Sequence, residues 1–508
     1  MKAFFFVLIS IPVLSVAQIS TIHEPSYQHQ NGNIAAIGQL YAIQADSIAP
    51  DTTGMRNLSS VELAKEMVPG WNVGNSLEAI GGETAWGNPL ISQRLIDSVK
   101  AAGFHAIRIP VAWSRFTDTL FTIDSAWLAR VKQVVNYVLQ DSMYAIINEH
   151  WDGGWMQPTY AQQAYVNNRL AVMWRQIAVH FREYGDHLLF AGTNEVMVTN
   201  NYGTPTVEYY TVQNSFNQTF VSTVRSTGGR NAYRHLVVQG FNTNIDYTYY
   251  YFAIPSDATA NRLMVEVHYY DPYDFTLNTN STITQWGSYA TDPGKVETWA
   301  NESYADGQFQ KMKTKFIDHG YAVILGEYGV TARLALGSPA LNADHARYRL
   351  YYMQYITRSL DRHGLVPFYW DNGYTGNNAM GIFDRSTGAR AYPEIIKGLV
   401  DTILTTNGAT GVNTRNAYPN PTRFSLTQNY PNPFNPSTAI SFNIPSRSLV
   451  SLKVFDLLGK EVATIVSGEL PAGSYTERWD ASTMTSGIYF YRLQAGSSTE
   501  TKKLVLLR

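Results

Sequence analysis

Leu188-Leu189-Phe190-Ala191-Gly192-Thr193-Asn194-Glu195 decides the fold, together with a second stretch of the same kind, Ala322-Val323-Ile324-Leu325-Gly326-Glu327. Each is a short apolar run that ends in a carboxylate. Unbroken apolar runs of this length read as strands buried on both faces, as in a parallel sheet. Six more runs share the character: Gly70 to Asn75, Ala106 to Val111, Tyr144 to His150, Leu236 to Gly240, Leu263 to Tyr270 and Val366 to Asp371. Between them lie helical patterns such as Ala126 to Leu139, where apolar residues recur every three or four positions. Eight such βα units across residues 54–405 predict an α/β fold, a (β/α)8 TIM barrel with loop insertions. An open doubly wound sheet would also alternate, but no Gly-rich phosphate loop follows the first run.

The flanks read differently. Lys2, the apolar run Ala3 to Leu14, and small residues Ser15 and Ala17 predict a signal peptide over 1–17, with Gln18 opening a polar extension over 18–53. The apolar run is shorter than the roughly 20 residues that a spanning helix needs. Residues 406–424 are rich in Thr, Asn and Gly, with Pro419 and Pro421 around Asn420, and read as a linker. Beyond it the period changes to two: Ala439 to Ile444, Val450 to Phe455, Tyr475 to Trp479 and Ile488 to Leu493 alternate, with Gly-containing turns between them. Residues 425–508 therefore predict a small antiparallel β-sandwich.

Of the 508 residues, 45% are hydrophobic and 15% charged, enough apolar material for a large core. A net charge of −2 gives no electrostatic reason to expect nucleic acid or an anionic membrane as partner. The absence of cysteine excludes thiolate catalysis, Cys-based zinc sites and disulfides. Aromatics are abundant, with 34 Tyr, 22 Phe and 11 Trp, and flat amphipathic rings suit sugar faces.

A barrel of this kind gathers its chemistry at the C-terminal ends of its strands. There the sequence places Arg108, then Asn148, His150, Trp151 and Asp152, then Asn194 and Glu195, then His268 and Tyr270, then Glu327, and finally Trp370 and Asp371. Polar and charged groups on one rim oppose core packing, so their convergence points to function. Two carboxylates on different strands are the equipment for cleaving a glycosidic bond.

These residues sit in recognisable company. Gly70-Trp71-Asn72-Val73-Gly74-Asn75 with Glu83 to Pro89, Arg108-Ile109-Pro110, Ile147 to Trp151, Asn194-Glu195, His268 to Tyr270, Gly326-Glu327-Tyr328-Gly329 and Trp370-Asp371-Asn372-Gly373 resemble, in order, the landmarks of glycoside hydrolase family 5, of the endoglucanase type. The resemblance implies a retaining enzyme with Glu195 as acid/base and Glu327 as nucleophile. It further implies that Arg108 and Tyr270 hold the nucleophile and that Asn194 donates to the sugar 2-hydroxyl. His150 and His268 would be polar rim residues, and Trp370 the stacking platform. Asn75 and Trp151 are further candidates for the cleft. Two positions depart from the family pattern, Val196 where proline is common and Trp151 where many relatives carry a second His. No cofactor and no metal are implied.

The tail has its own resemblance. Gln428 to Pro436, Val454-Phe455-Asp456-Leu457-Leu458-Gly459, Ser486 to Leu493 and Lys502 to Arg508 are similar to a type IX secretion (Por) sorting domain. That implies export through the inner membrane by the signal peptide and through the outer membrane by the type IX machinery, to the medium or the cell surface. The expectation is an exported, retaining endo-β-1,4-glucanase acting on cellulose, mixed-linkage glucan or xyloglucan. Tyr-rich loops at Tyr247 to Phe252 and Tyr269 to Phe275 would line its cleft. A mannanase or xylanase on the same barrel, and a non-catalytic surface glycan-binding protein, are the alternatives. A metal-dependent hydrolase fits less well, because His150 and His268 stand on different strands with no legible supporting pattern.

Overall fold

The computed structural model describes residues 48–150, 154–404, 423–429, 431–470 and 473–507. The chain divides into two compact units between Gly408 and Ala409. In the first, eight parallel strands form: β1 (Gly70–Val73), β2 (Ala106–Ile109), β3 (Tyr144–Asn148), β4 (Leu188–Ala191), β5 (Leu236–Asn244), β6 (Leu263–Tyr269), β7 (Ala322–Tyr328) and β8 (Leu365–Asp371). They close into a barrel in that order, with β8 pairing back onto β1. The closure depends on Gly70, where a Cβ would lie 2.4 Å from the Phe368 ring. All eight runs expected as strands are strands, and the α/β barrel is the fold.

The helices outside follow the same pattern logic. Ser125–Gln140 starts where Asp124 Oδ1 accepts the amides of Ala126 and Trp127 at 2.8 and 2.9 Å. It buries Trp127, Val131, Val134, Val135 and Val138, the three- and four-residue stripe visible in the sequence. One expectation fails here. Tyr247 to Phe252 is not a loop: Ile245–Tyr251 is a helix, capped by Asn244 Oδ1 accepting the Tyr247 amide. The cap outweighs the modest helix propensity of a Tyr run. The stretch Tyr269 to Phe275 likewise begins in β6 and ends in a short helix, Tyr273–Thr276.

Alternation along the strands builds the barrel interior. Ala106, Ile146, Leu189, Val237, Met264, Ile324 and Phe368 belong to one buried apolar cluster, with Leu63, Ala64 and Met67 of the preceding segment in the same cluster. Two residues further on, along the same face of the same strands, stand Arg108, Asn148, Gln239, Glu266 and Trp370. The interior thus turns from apolar to polar along the barrel axis. The apolar layer carries the folding energy, and the polar layer carries the site.

Two expected strand-end residues lie elsewhere. Glu195 is four positions beyond the end of β4, in a loop, with φ +45°. Asn75 is two positions beyond β1, with φ +57°, and its amide and carbonyl are held by Glu78 and Asn88. Both therefore occupy left-handed backbone that a continued strand would not allow.

The second unit holds two antiparallel sheets. Strands β9 (Ser425–Leu426), β10 (Ser437–Ile444) and β13 (Gly473–Asp480) form one. Strands β11 (Ser448–Phe455), β12 (Glu461–Leu470), β14 (Gly487–Ala495) and β15 (Ser498–Leu506) form the other, in the order β12-β11-β14-β15. Ile440, Phe442 and Trp479 from one sheet and Val450, Leu452, Val454 and Tyr491 from the other share a single core, which makes the unit a β-sandwich. The alternation rule missed the two-residue β9 and also β12 and β15. In β12 no residue is fully buried, so its apolar face is muted, and the interior positions of β15 are confined to Leu504 and Leu506.

Candidate active site

The polar layer converges on two carboxylates held in different ways. Glu327 lies within β7, nearly fully buried. Arg108 Nη1 donates to its Oε1 at 3.0 Å, and Tyr270 Oη donates to its Oε2 at 3.2 Å. Arg108 is wholly buried and has further partners: Nη1 donates to Asn72 Oδ1 at 3.0 Å, Nη2 to Asn194 Oδ1, and Nε pairs with Glu266 Oε1 at 2.8 Å. Because Asn194 accepts through its carbonyl, its NH2 group keeps donors for another partner.

A local irregularity brings Glu327 into this layer. Strands β6 and β7 pair Val267 with Leu325, then His268 with Glu327, so β7 carries one extra residue at Gly326. The same slip appears against β8. A bulge of this kind turns the following side chain to the other face. Gly326 is required there, since a Cβ would lie 2.0 Å from Glu266 Oε1.

Glu195 is the more exposed carboxylate. Its Oε1 lies 2.8 Å from His268 Nδ1, and His268 Nε2 lies 3.3 Å from Glu266 Oε1. One oxygen each from Glu195 and Glu327 and a ring nitrogen of His268 all lie within 4.8 Å of one another. His268 Nδ1 is also 3.8 Å from Glu327 Oε2.

The electrostatics follow from burial and these neighbours. Burial lowers the His268 pKa, but Glu327, Glu195 and Glu266 together push it up to about 9, so the ring is cationic at neutral pH. Burial raises the Glu327 carboxyl; the His268 and Arg108 cations pull it back, and the net direction is upward. Glu266 moves the other way: its burial is outweighed by Arg108, His268 and Gln239, which hold it below the ordinary carboxylate range. Tyr270 stays a phenol, pushed well up by burial and by the carboxylates of Glu327 and Glu195. His150 is held well down by burial and by the Arg108 and His268 cations, and is neutral.

His150 and Trp370 form the outer wall. Their rings stack at 5.9 Å with 14° between planes, and Asn148 Nδ2 lies 3.1 Å from His150 Nδ1. Gly74 makes room for the indole, since a Cβ there would meet it at 2.7 Å. Asp371 works from beneath: it accepts from Arg385, whose guanidinium also donates to the carbonyls of Gly74 and Asp371 and so ties the ends of β1 and β8 together.

Of the residues singled out in the sequence, Glu195, Glu327, Arg108, Asn194, His268 and Tyr270 come together in one network, with His150 and Trp370 stacked on each other. Asn75 is not in that network; its bonded groups are its backbone amide and carbonyl. Trp151 lies outside the described residues. Sequence reasoning passes over Asn72, Gln239 and Glu266. Glu266 had a signal: a charge inside the apolar run Leu263 to Val267, two positions before His268 and hence on the same face. A separate cavity lined by Glu66, His105, Tyr144 and His187 sits at the opposite ends of β1 to β4 and takes no part in this cluster.

The profile "Cellulase (glycosyl hydrolase family 5)" matches residues 72–376. The chain belongs to glycoside hydrolase family 5. Among family 5 relatives, a xyloglucan-specific endo-beta-1,4-glucanase of Bacteroides ovatus is 44% identical over 381 residues, covering 71% of this chain and 74% of its own. Endoglucanase A of Paenibacillus barcinonensis is 39% identical over 368 residues, 68% of this chain and 90% of its own. The solved structure of a Bacteroides ovatus family 5 xyloglucanase with an XXXG heptasaccharide superposes with TM-score 0.68 at 42% identity, covering 71% of this chain and 80% of that one. Residues 428–507 match a secretion system C-terminal sorting domain, which marks this family 5 enzyme for export to the cell surface or the medium. Among the described residues, no helix is long and apolar enough to cross a membrane.

Proposed function

We propose that this chain is an exported endo-β-1,4-glucanase that cleaves a β-glucan, with xyloglucan the favoured substrate, by double displacement with retention of configuration. The observation that carries the reading is the closeness and inequality of Glu195 and Glu327. One oxygen of each carboxylate lies within 4.8 Å of the other, a closeness that supports the short separation, roughly 5–5.5 Å, of a retaining pair over the wider one that leaves room for water.

Glu327 is the nucleophile. It is buried, and Arg108 and Tyr270 fix one oxygen each, which aims the carboxylate and supports its charge during attack. Glu195 is the acid/base, half-open to the cleft and paired with a cationic imidazole that can supply and take back a proton. Asn194 is assigned the contact to the sugar 2-hydroxyl, and Trp370 the stacking platform beside the cleavage point. The xyloglucan preference is supported by the names of the Bacteroides ovatus relative and its solved counterpart. The type IX secretion machinery is the proposed partner of the C-terminal unit. The proposed organisation is signal peptide 1–17, extension 18–53, catalytic barrel 54–405, linker 406–424 and sorting domain 425–508.

The test uses xyloglucan, mixed-linkage β-glucan, carboxymethylcellulose, xylan and mannan as substrates. Glu327→Ala should lose activity on all of them. In Glu195→Ala, added azide should restore turnover of an activated aryl glycoside and give the β-glycosyl azide. Full activity of Glu327→Ala, or an inverted product, sinks the assignment.

A further inference from the structure

Glu266 lies deeper in the barrel than either carboxylate just assigned, and it is 1% exposed. A buried carboxylate is costly unless charged or hydrogen-bonded partners surround it. Here the partners come from every side. Its Oε1 is shared by Arg108 Nε of β2 at 2.8 Å and His268 Nε2 of β6 at 3.3 Å, and its Oε2 accepts from Gln239 Nε2 of β5 at 2.7 Å. The bulge at Gly326 of β7 leaves the space that its Oε1 fills. The other charged groups facing this centre are Glu327 and Glu195, with the neutral rings of Tyr270 and His150 near them.

We propose that Glu266 is a positioning residue for the double displacement: one buried anion anchors both Arg108, which holds the nucleophile, and His268, which holds the acid/base. The inference rests on the roles given above to Glu327 and Glu195. On the Arg108 side, an anion at Nε leaves the two Nη groups to Glu327, Asn72 and Asn194, so the guanidinium cannot swing away from the nucleophile. On the His268 side, an anion at Nε2 keeps the proton on that nitrogen. The other nitrogen, Nδ1, then faces Glu195 and shares one proton with it. That proton leaves with the glycosidic oxygen in the first half-reaction and is replaced from the attacking water in the second, so the pair returns to its starting state. Gln239 extends the arrangement: its Oε1 accepts the amide and hydroxyl of Thr193, at the start of the loop that carries Asn194 and Glu195.

The test is Glu266→Gln and Glu266→Asp in the full chain, with kcat and KM on xyloglucan measured between about pH 4 and 10. Gln keeps the shape and removes the charge that favours the His268 cation. Its basic limb should move to lower pH by about one unit or more, with kcat down at least about 10-fold and KM within about 3-fold. Asp keeps the charge and withdraws it by one methylene; its limb should stay at the wild-type position while kcat falls. In a His268→Gln background, adding Glu266→Gln should move the limb no further. A Glu266→Gln enzyme whose basic limb coincides with the wild type overturns the proposal. If that variant does not fold, a Glu266→Asp enzyme with wild-type kcat overturns it instead. An active Glu327→Ala would sink the functional reading itself, whereas an inactive Glu327→Ala beside an unshifted Glu266→Gln sinks only this inference.

Discussion

Arg108 of β2 reaches Glu327 of β7, three strands round the barrel and 219 positions away in sequence, and donates to it at 3.0 Å in a site where the guanidinium is wholly buried. Burial of both partners leaves the geometry of the pair to the barrel. The same cation also pairs with Glu266.

Removing that cation leaves Glu266 without its main compensating charge and Glu327 with His268 alone. Arg108→Ala should destabilise the barrel by about 3–5 kcal/mol, and Arg108→Lys should fold better yet lose kcat by about 100-fold, since an ammonium cannot engage four partners in a planar fork. Thermal melts beside xyloglucan kinetics separate the two effects.

Tyr270→Phe deletes the one hydrogen bond that this hydroxyl makes among the described residues, its donation to Glu327 Oε2. The expected result is a kcat lowered by about 10- to 100-fold with stability changed by about 1 kcal/mol. Accumulation of the glycosyl-enzyme, followed by mass spectrometry with a fluorinated glucoside, would show whether the loss falls on the attack or on the release step.

His268 carries a pH signature. Its folded-state pKa of about 9 is above the unfolded value, so it contributes stability that is fully present below about pH 6.5 and is lost as pH rises through about 9. The melting temperature should therefore fall across that window, and the fall should be smaller in His268→Gln. Equal slopes in the two proteins would contradict the assignment of the charge to this ring.

Deleting residues 425–508 should leave turnover in a cell lysate and abolish delivery to the medium or surface. Fractionation of a host with a type IX system, followed by zymography, reads both. Export that survives the deletion would contradict the role given to the C-terminal unit.

Much of the fold and the site is legible in the order of the residues alone. Unbroken apolar runs such as Leu188 to Ala191 announce strands covered on both faces, and eight of them separated by amphipathic helices leave few folds available. Charged and polar residues at the far ends of those runs, Arg108, Glu195, His268 and Glu327 among them, mark the rim, because local sequence offers them no other reason to be there. Alternation within a strand even predicts that Glu266 and His268 share a face.

What the linear order could not reveal is which way each side chain turns once pairing begins. Strict alternation from Ala322 and Ile324 would send Glu327 out of the barrel; the extra residue at Gly326 turns it in, and that slip exists only because β6 and β8 impose a register on β7. Glu195 reaches the site from a loop in left-handed conformation, not from a strand end. Nor does sequence say that one anion, Glu266, serves two cations drawn from different strands. Residue type and period are local properties and survive in the sequence. Register, bulges and shared partners are relations between strands, and they come into being only when the barrel closes.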